Sequence, residues 1–231
     1  MSIIDFISRC IAAILNRKID ENEQIADEQA DRKDRPFGAP EADISLEPAD
    51  PEFQVFGQIC RCEGTMLRWT HSPITWRIDD SVEKQMGEDF VRVLSDSMSQ
   101  AFKTWKRVGD FKYQKKRSGQ ANIMVSFREL DGPSGTLGIA WQSGRGDSMT
   151  DEEGYLDRIG DIWLDVEEGF PVRKSLLDAV ILHEVGHALG MPHVDGAENI
   201  MNPFITDNKT PSEEEARLFA ERYPIGGNLS V

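Results

Sequence analysis

His183-Glu184-Val185-Gly186-His187-Ala188-Leu189-Gly190-Met191-Pro192-His193 is the stretch on which the reading of this chain turns. On a helix, residues four apart lie one turn apart on the same face, so His183 and His187 aim their imidazoles at a common point. Glu184 sits beside them. A helix that simply continued would carry residue 193 to a different face. Gly190 permits the positive φ that ends a helix abruptly, and Pro192 prevents helix from resuming, so the chain can turn back and bring His193 in as a third ligand. The chain has four histidines, and three of them fall at ligand spacing within these eleven residues. Three histidines with one coordination position left over describe a catalytic zinc site and not a closed structural one. A water in that position has its pKa lowered toward about 7, and Glu184 is placed to take its proton as it attacks a polarised carbonyl. The fourth histidine, His71, follows a Trp-Thr pair and reads as a surface or packing residue.

Outward from the motif, the helix that carries it is expected over Ser175 to Leu189. Ile74 to Ile78 (ITWRI) alternates as a strand does. Ser81 to Val108 places Phe90, Leu94, Met98, Phe102 and Trp105 at steps of three or four, the core-facing stripe of one long helix. Phe111 to Gln114, Ala121 to Phe127, Leu137 to Gln142 and Asp161 to Asp165 are short β-branched or aromatic runs between turn residues, hence strands. Ser212, followed by Glu213 to Glu215, caps and opens a last helix. That order gives an α+β domain with a mixed sheet, spanning about residues 65–225 and followed by a short tail, 226–231.

The remaining 64 residues differ in kind. Met1 to Lys18 carries Ile4, Ile7, Ile11 and Leu15 at helical spacing and reads as a short amphipathic helix that docks on a partner or on its own domain. It lacks the unbroken apolar core and cleavage site of a secretory signal. Ile19 to Glu52 holds 12 Asp or Glu against 3 Lys or Arg, with Pro36, Pro40, Pro48 and Pro51. Such a composition buries too little apolar surface to offset ordering entropy, so residues 19–64 are expected to form a flexible linker or propeptide-like segment. No apolar run reaches the roughly 20 residues that span a bilayer. The net charge of −15 argues against nucleic acid as a partner, since a binder must neutralise phosphates with clustered cations. The one basic cluster runs from Lys103 to Arg117, with seven Lys or Arg against Asp110. The acidic 19–52 segment is its natural electrostatic complement. Three cysteines, Cys10, Cys60 and Cys62, precede the domain, which therefore folds without bridges.

The zinc motif, followed by a methionine in Asn199-Ile200-Met201-Asn202-Pro203, resembles the metzincin signature with its Met-turn, and within that clan the matrixins. The resemblance covers about Arg68 to Tyr223 and includes Thr75-Trp76-Arg77-Ile78, Ala121 to Phe127, Asp131-Gly132-Pro133, Gly160 to Asp165 and the helix opened by Ser212. It implies the metzincin fold: a twisted mixed sheet, a long backing helix, an active-site helix and a C-terminal helix. It also implies a secreted, extracellular, monomeric zinc endopeptidase acting on extended polypeptides. By the same resemblance, Met201 forms the floor beneath the zinc ligands, and Leu137, Gly138, Ile139 and Ala140 form the edge strand that pairs with substrate. Pro203, Phe204 and Ile205 wall the pocket for the residue after the scissile bond. Asp131, Gly132, Ser134, Thr136, Asp165 and Glu168 match a structural calcium site, whose oxygen ligands suit a hard cation. Cys60 and Cys62 are the candidates for a latency ligand that fills the open zinc position, with Asp43 or Asp50 as carboxylate alternatives. Two departures stand out. The histidines of a second, structural zinc are replaced by Ile139 and Trp163, so that zinc is expected to be absent, and Val194 follows the third ligand where matrixins usually carry Ser or Thr. The competing reading is a structural or adhesive protein that uses such a domain as a binding module. Retention of Glu184 speaks against it, because a purely structural metal site needs no general base.

Overall fold

The computed structural model describes residues 68, 69, 71–132, 135–141, 155, 156 and 160–226, all within the unit Val55–Val231. The expectations for residues 1–64, Cys60 and Cys62 among them, fall outside the described residues, as do Ser134, Gln142 and residues 227–231.

Five strands form the main sheet in the order β3-β2-β4-β7-β5: β2 (Ile74–Ile78), β3 (Tyr113–Lys115), β4 (Ile123–Arg128), β5 (Gly138–Trp141) and β7 (Gly160–Asp165). All neighbours run parallel except β5, which pairs antiparallel with β7 in the register Gly138↔Leu164. The sheet is therefore mixed, with its one reversed strand on the edge. A separate parallel pair joins β1 (Arg68–Trp69) to β6 (Tyr155–Leu156). The central strands bury their apolar residues, Ile123, Val125, Ile162 and Leu164, as strands covered by helices must.

The expected single helix over Ser81 to Val108 is instead two, α1 (Asp80–Met86) and α2 (Glu88–Lys106), divided at Gly87. Gly87 adopts φ 87° and donates its N–H to Glu83 O, a conformation glycine reaches without a Cβ clash. The break is invisible to periodicity because Val82 and Met86, both buried, continue the spacing of Phe90 and Leu94. The stripe itself is as read: Phe90, Leu94, Met98, Phe102 and Trp105 are all buried, with Phe102 stacked on Trp76 at 5.8 Å and Phe90 edge-on to Phe127 at 5.6 Å. Elsewhere the boundaries shift by a residue or two. Phe111 precedes its strand and is a buried core residue, ringed by Phe102, Tyr113, Phe219 and Tyr223. The seven cations between Lys103 and Arg117 are exposed.

The helix that carries the histidine motif, α3 (Lys174–Ala188), buries every residue from Val180 to Ala188. A helix that is apolar on all sides belongs in the interior, and α3 packs between α2 and the β5–β7 side of the sheet. The last helix, α4 (Glu213–Arg222), opens on Ser212 with a capping box to Glu215. Among the described residues no helix is long and apolar enough to cross a membrane.

Asp79 caps α1, its carboxylate accepting from Ser81 N at 2.9 Å. Asp79→Ala is expected to cost about 1 kcal/mol of stability. Hydrogen bonds from Ser81 hold the Asp79 carboxyl below its ordinary range. A depressed folded-state pKa contributes stability that is complete above the unfolded-state value and lost as pH falls through the folded one. Wild type and Asp79→Ala should thus differ in urea midpoint at neutral pH and converge under acid. A constant difference across that range would show the cap bond to be irrelevant.

Candidate metal centre

Helical geometry delivers the first two histidines. The His183 and His187 rings lie 4.6 Å apart, and His193 comes to 4.7 Å from His187 and 5.5 Å from His183. Each ring offers one ligand atom, and these atoms lie within 4.8 Å of one another. The turn that returns His193 is built as the sequence suggests. Gly190 has φ 99°, its N–H bonds His187 O at 2.8 Å, and Met191 N reaches back to Gly186 O at 3.0 Å.

The rings are fixed from behind. His183 Nδ1 lies 2.7 Å from Ile200 O and His187 Nδ1 lies 2.8 Å from Met191 O. A carbonyl can only accept, so each Nδ1 carries the hydrogen and each Nε2 keeps its lone pair for the centre of the triad. His183 Nε2 and His193 Nε2 are buried with no hydrogen-bond partner. Such an orphaned pair is costly unless something outside the protein fills the gap, and neutral imidazole nitrogens in this arrangement suit zinc. Burial, the largest influence on all three, pushes His183 down to about 4, His187 well below its ordinary value and His193 lower as well. These shifts favour the neutral ring, the form a metal requires, over the imidazolium.

Glu184 is fully buried next to the triad. Strand β5 runs directly over it: a Cβ added at Gly138 would stand 3.3 Å from Glu184 Cγ. The strand read as substrate-pairing thus borders the carboxylate read as the base. Of its residues, Leu137, Gly138 and Ala140 are buried and Ile139 is half-buried.

Met201 is fully buried, and a Cβ added at Gly186 would overlap Met201 Sδ and the Trp105 ring. Glycine in the motif thus admits the Met201 side chain against the helix between His183 and His187. Val194 N donates to Met201 O at 2.9 Å, and Met201 N donates to Glu215 Oε1 at 2.6 Å. The other Glu215 oxygen accepts from Ser212 N at 2.8 Å, so one buried carboxylate ties the start of α4 to the methionine turn. Farther along, Pro203 is half-buried, Phe204 is 55% exposed and Ile205 is buried. Asn202 shapes this loop, with Oδ1 accepting from Phe204 N at 2.8 Å and Nδ2 donating to Gly196 O at 2.8 Å.

The oxygen-rich loop is organised differently from the triad. Asp131 accepts from Thr136 N at 2.7 Å and Thr136 Oγ1 at 2.8 Å. Its own N–H points to Asp165 Oδ2 at 3.4 Å. Asp165 and Glu168 are buried, and burial, with help from the Asp131 charge, raises the Asp165 carboxyl against its backbone hydrogen bonds. Gly132 adopts φ 88°. Among the described residues, the three histidines are the group of three or more such side chains whose ligand atoms converge. Asp131, Asp165 and Glu168 do not form a second. Ile139 and Trp163 face each other across β5 and β7, and the Arg128 guanidinium stands 5.4 Å over the Trp163 ring, a cation–π contact.

The family model of the matrixins matches residues 68–218 of this chain. The chain belongs to the matrixin family. Among curated matrixin relatives, it is 28% identical over 151 residues to human matrix metalloproteinase-17, covering 59% of this chain and 23% of the relative. It is 31% identical over 146 residues to the interstitial collagenase of Sus scrofa, covering 59% and 28%. Against stromelysin-3 of Rattus norvegicus it is 28% identical over 149 residues, covering 60% and 27%. The aligned region thus spans about a quarter of the length of these relatives. Within the matrixin domain, sequence reading anticipated the convergence of His183, His187 and His193. It did not find the loop-shaping bonds of Asn202 or the buried uses of Glu215, Trp69 and Tyr223, whose partners lie elsewhere in the fold.

Proposed function

We propose that this chain is a zinc-dependent endopeptidase that hydrolyses extended polypeptides outside the cell, with Glu184 as its general base. The observation that carries the reading is the convergence of three neutral imidazoles, with orphaned buried Nε2 atoms on His183 and His193, beside a buried carboxylate under β5, an edge strand of the main sheet among the described residues. Zinc held by His183, His187 and His193 supplies Lewis-acid polarisation and a water made acidic near neutral pH. The protein does the rest. Strand β5 offers its outer edge to an extended peptide, whose main-chain bonds set register and hold the scissile carbonyl in reach. Glu184 takes a proton from the attacking water and returns it to the departing amine nitrogen as the C–N bond breaks. Phe204, exposed on the loop beyond Met201, lines the position for the following side chain.

Denatured casein or gelatin should be cleaved by the purified chain, cleavage should cease under a zinc chelator, and it should return when zinc is restored. Chelation should also lower the melting temperature, since a ligand at about 1,000 times its Kd adds about 4 kcal/mol to the folded state. Stoichiometric zinc without proteolysis of any unfolded substrate would instead favour a binding module. A calcium ion at the Asp131–Asp165 loop is the second part of the proposal. Added calcium should raise the melting temperature in a concentration-dependent way, and a flat response would rule the calcium ion out.

A further inference from the structure

The last turn of α3 leaves carbonyls that no helical N–H can reach. Two of them are met by side chains from the two ends of the domain. Trp69 Nε1 donates to Ala188 O at 2.8 Å, and the Tyr223 hydroxyl donates to Leu189 O at 2.8 Å while accepting from Trp69 N at 3.2 Å. Both residues are buried, at 2% and 1% exposure, though 154 residues separate them. Tyr223 is seated in turn by its ring on Phe219 at 4.8 Å and by its carbonyl on Asp110 N at 2.8 Å.

These carbonyls belong to the turn that carries the chain from His187 to His193. On its inner side the turn is held by the His187 Nδ1 bond to Met191 O and by Met191 N on Gly186 O. On its outer side it is held by the aromatic pair. Backbone carbonyls anchor the rings of His183 and His187; among the described residues none does so for His193, whose position depends on the backbone that presents it.

We propose that Trp69 and Tyr223 are positioning residues for the metal centre: together they clamp the Leu189–Gly190 turn and so pre-place His193 against the two helical histidines. This rests on the zinc reading above. Freed of the clamp, the turn would have to be ordered at the moment the metal binds, and that cost would appear in affinity for the metal, as it does when groups supporting ligands are removed.

The test uses the full chain and reads zinc affinity by competition with a chromophoric chelator, well below the melting temperature of every variant. Under that condition more than about 99% of each protein is folded for any ordinary stability, and loss of stability alone leaves the dissociation constant unchanged. Tyr223→Phe removes the hydroxyl and keeps the ring, and Trp69→Phe removes Nε1–H. Each should weaken zinc binding by about tenfold to a hundredfold and alter the visible spectrum of the cobalt-loaded protein, which reports ligand geometry. Asp79→Ala, which loosens a helix cap elsewhere in the domain, should match wild type in both readouts. Wild-type zinc affinity and an unchanged cobalt spectrum in Tyr223→Phe, whatever its melting temperature, would overturn the proposal. Trp69→Phe decides in the same way should Tyr223→Phe not fold. A wild-type chain that takes up no zinc would overturn the zinc reading itself, and this inference with it.

Discussion

Glu184→Gln is expected to keep its zinc and lose about 10²–10⁴-fold in kcat. Gln has the size and shape of Glu, so the packing of Gly138 above Glu184 Cγ is undisturbed, and the three imidazoles, with the backbone anchors at Ile200 O and Met191 O, are untouched. What disappears is the capacity to accept a proton, because an amide oxygen is far less basic than a carboxylate. Stability should not fall, since exchanging a buried carboxylate for a neutral group removes a desolvation cost. The loss should lie in kcat with KM nearly constant, the pattern of an interaction made in the transition state and not in substrate binding. Zinc content and melting temperature measured beside the kinetics separate this outcome from loss of metal. Activity within a few fold of wild type would mean that another group carries the proton and that the role given to Glu184 is wrong.

The features legible in the sequence are those whose physics is local. The pair His183 and His187 follows from helical spacing, the return of His193 from Gly190 and Pro192, and the strand at Ile74 to Ile78 from alternation. Ser212 announces the last helix because a cap residue with Glu three positions on is a local device. The second use of that same glutamate is not local. Glu215 Oε1 holds Met201 N across 14 residues, and its cap position, which sets it apart from the exposed Glu213 and Glu214, does not point to that partner. Gly87 escaped for the opposite reason: the apolar stripe runs through it in phase, so periodicity reports one helix where the backbone makes two. Trp69 and Tyr223 lie at the farthest remove, since pairing them needs the whole fold. Sequence reading thus anticipated the convergence of the three histidines, and missed the side chains that hold the turn between them.

Trp105→Ala is the substitution in the core expected to do most damage, about 3–5 kcal/mol, against a total of about 5–15 kcal/mol for an ordinary domain. Trp105 is fully buried, with its ring 5.1 Å from Phe219 and its Nε1 donating to Leu182 O at 3.0 Å. The hydrogen bond is the smaller part of the loss, because Leu182 O lies within α3 and retains its helical partner four residues on. The cavity is the larger part. The Trp105 ring and Met201 Sδ together leave no room at Gly186 for even a methyl group, so removing the indole takes away one wall of the space that confines the methionine against the helix. Trp105→Phe fills most of that volume and should recover most of the stability, which separates packing from hydrogen bonding. Urea unfolding of the metal-free proteins should show the midpoint falling sharply for Trp105→Ala and modestly for Trp105→Phe. If the two fell equally, the bond to Leu182 O would outweigh the packing of the ring. If neither fell by as much as about 1 kcal/mol, well short of the cost of an indole-sized cavity, α2 would not be the support on which the metal helix rests. Zinc should not close the gap: it stabilises both folded proteins according to their affinities for it, and a metal site loosened by the lost indole binds it no more tightly than wild type.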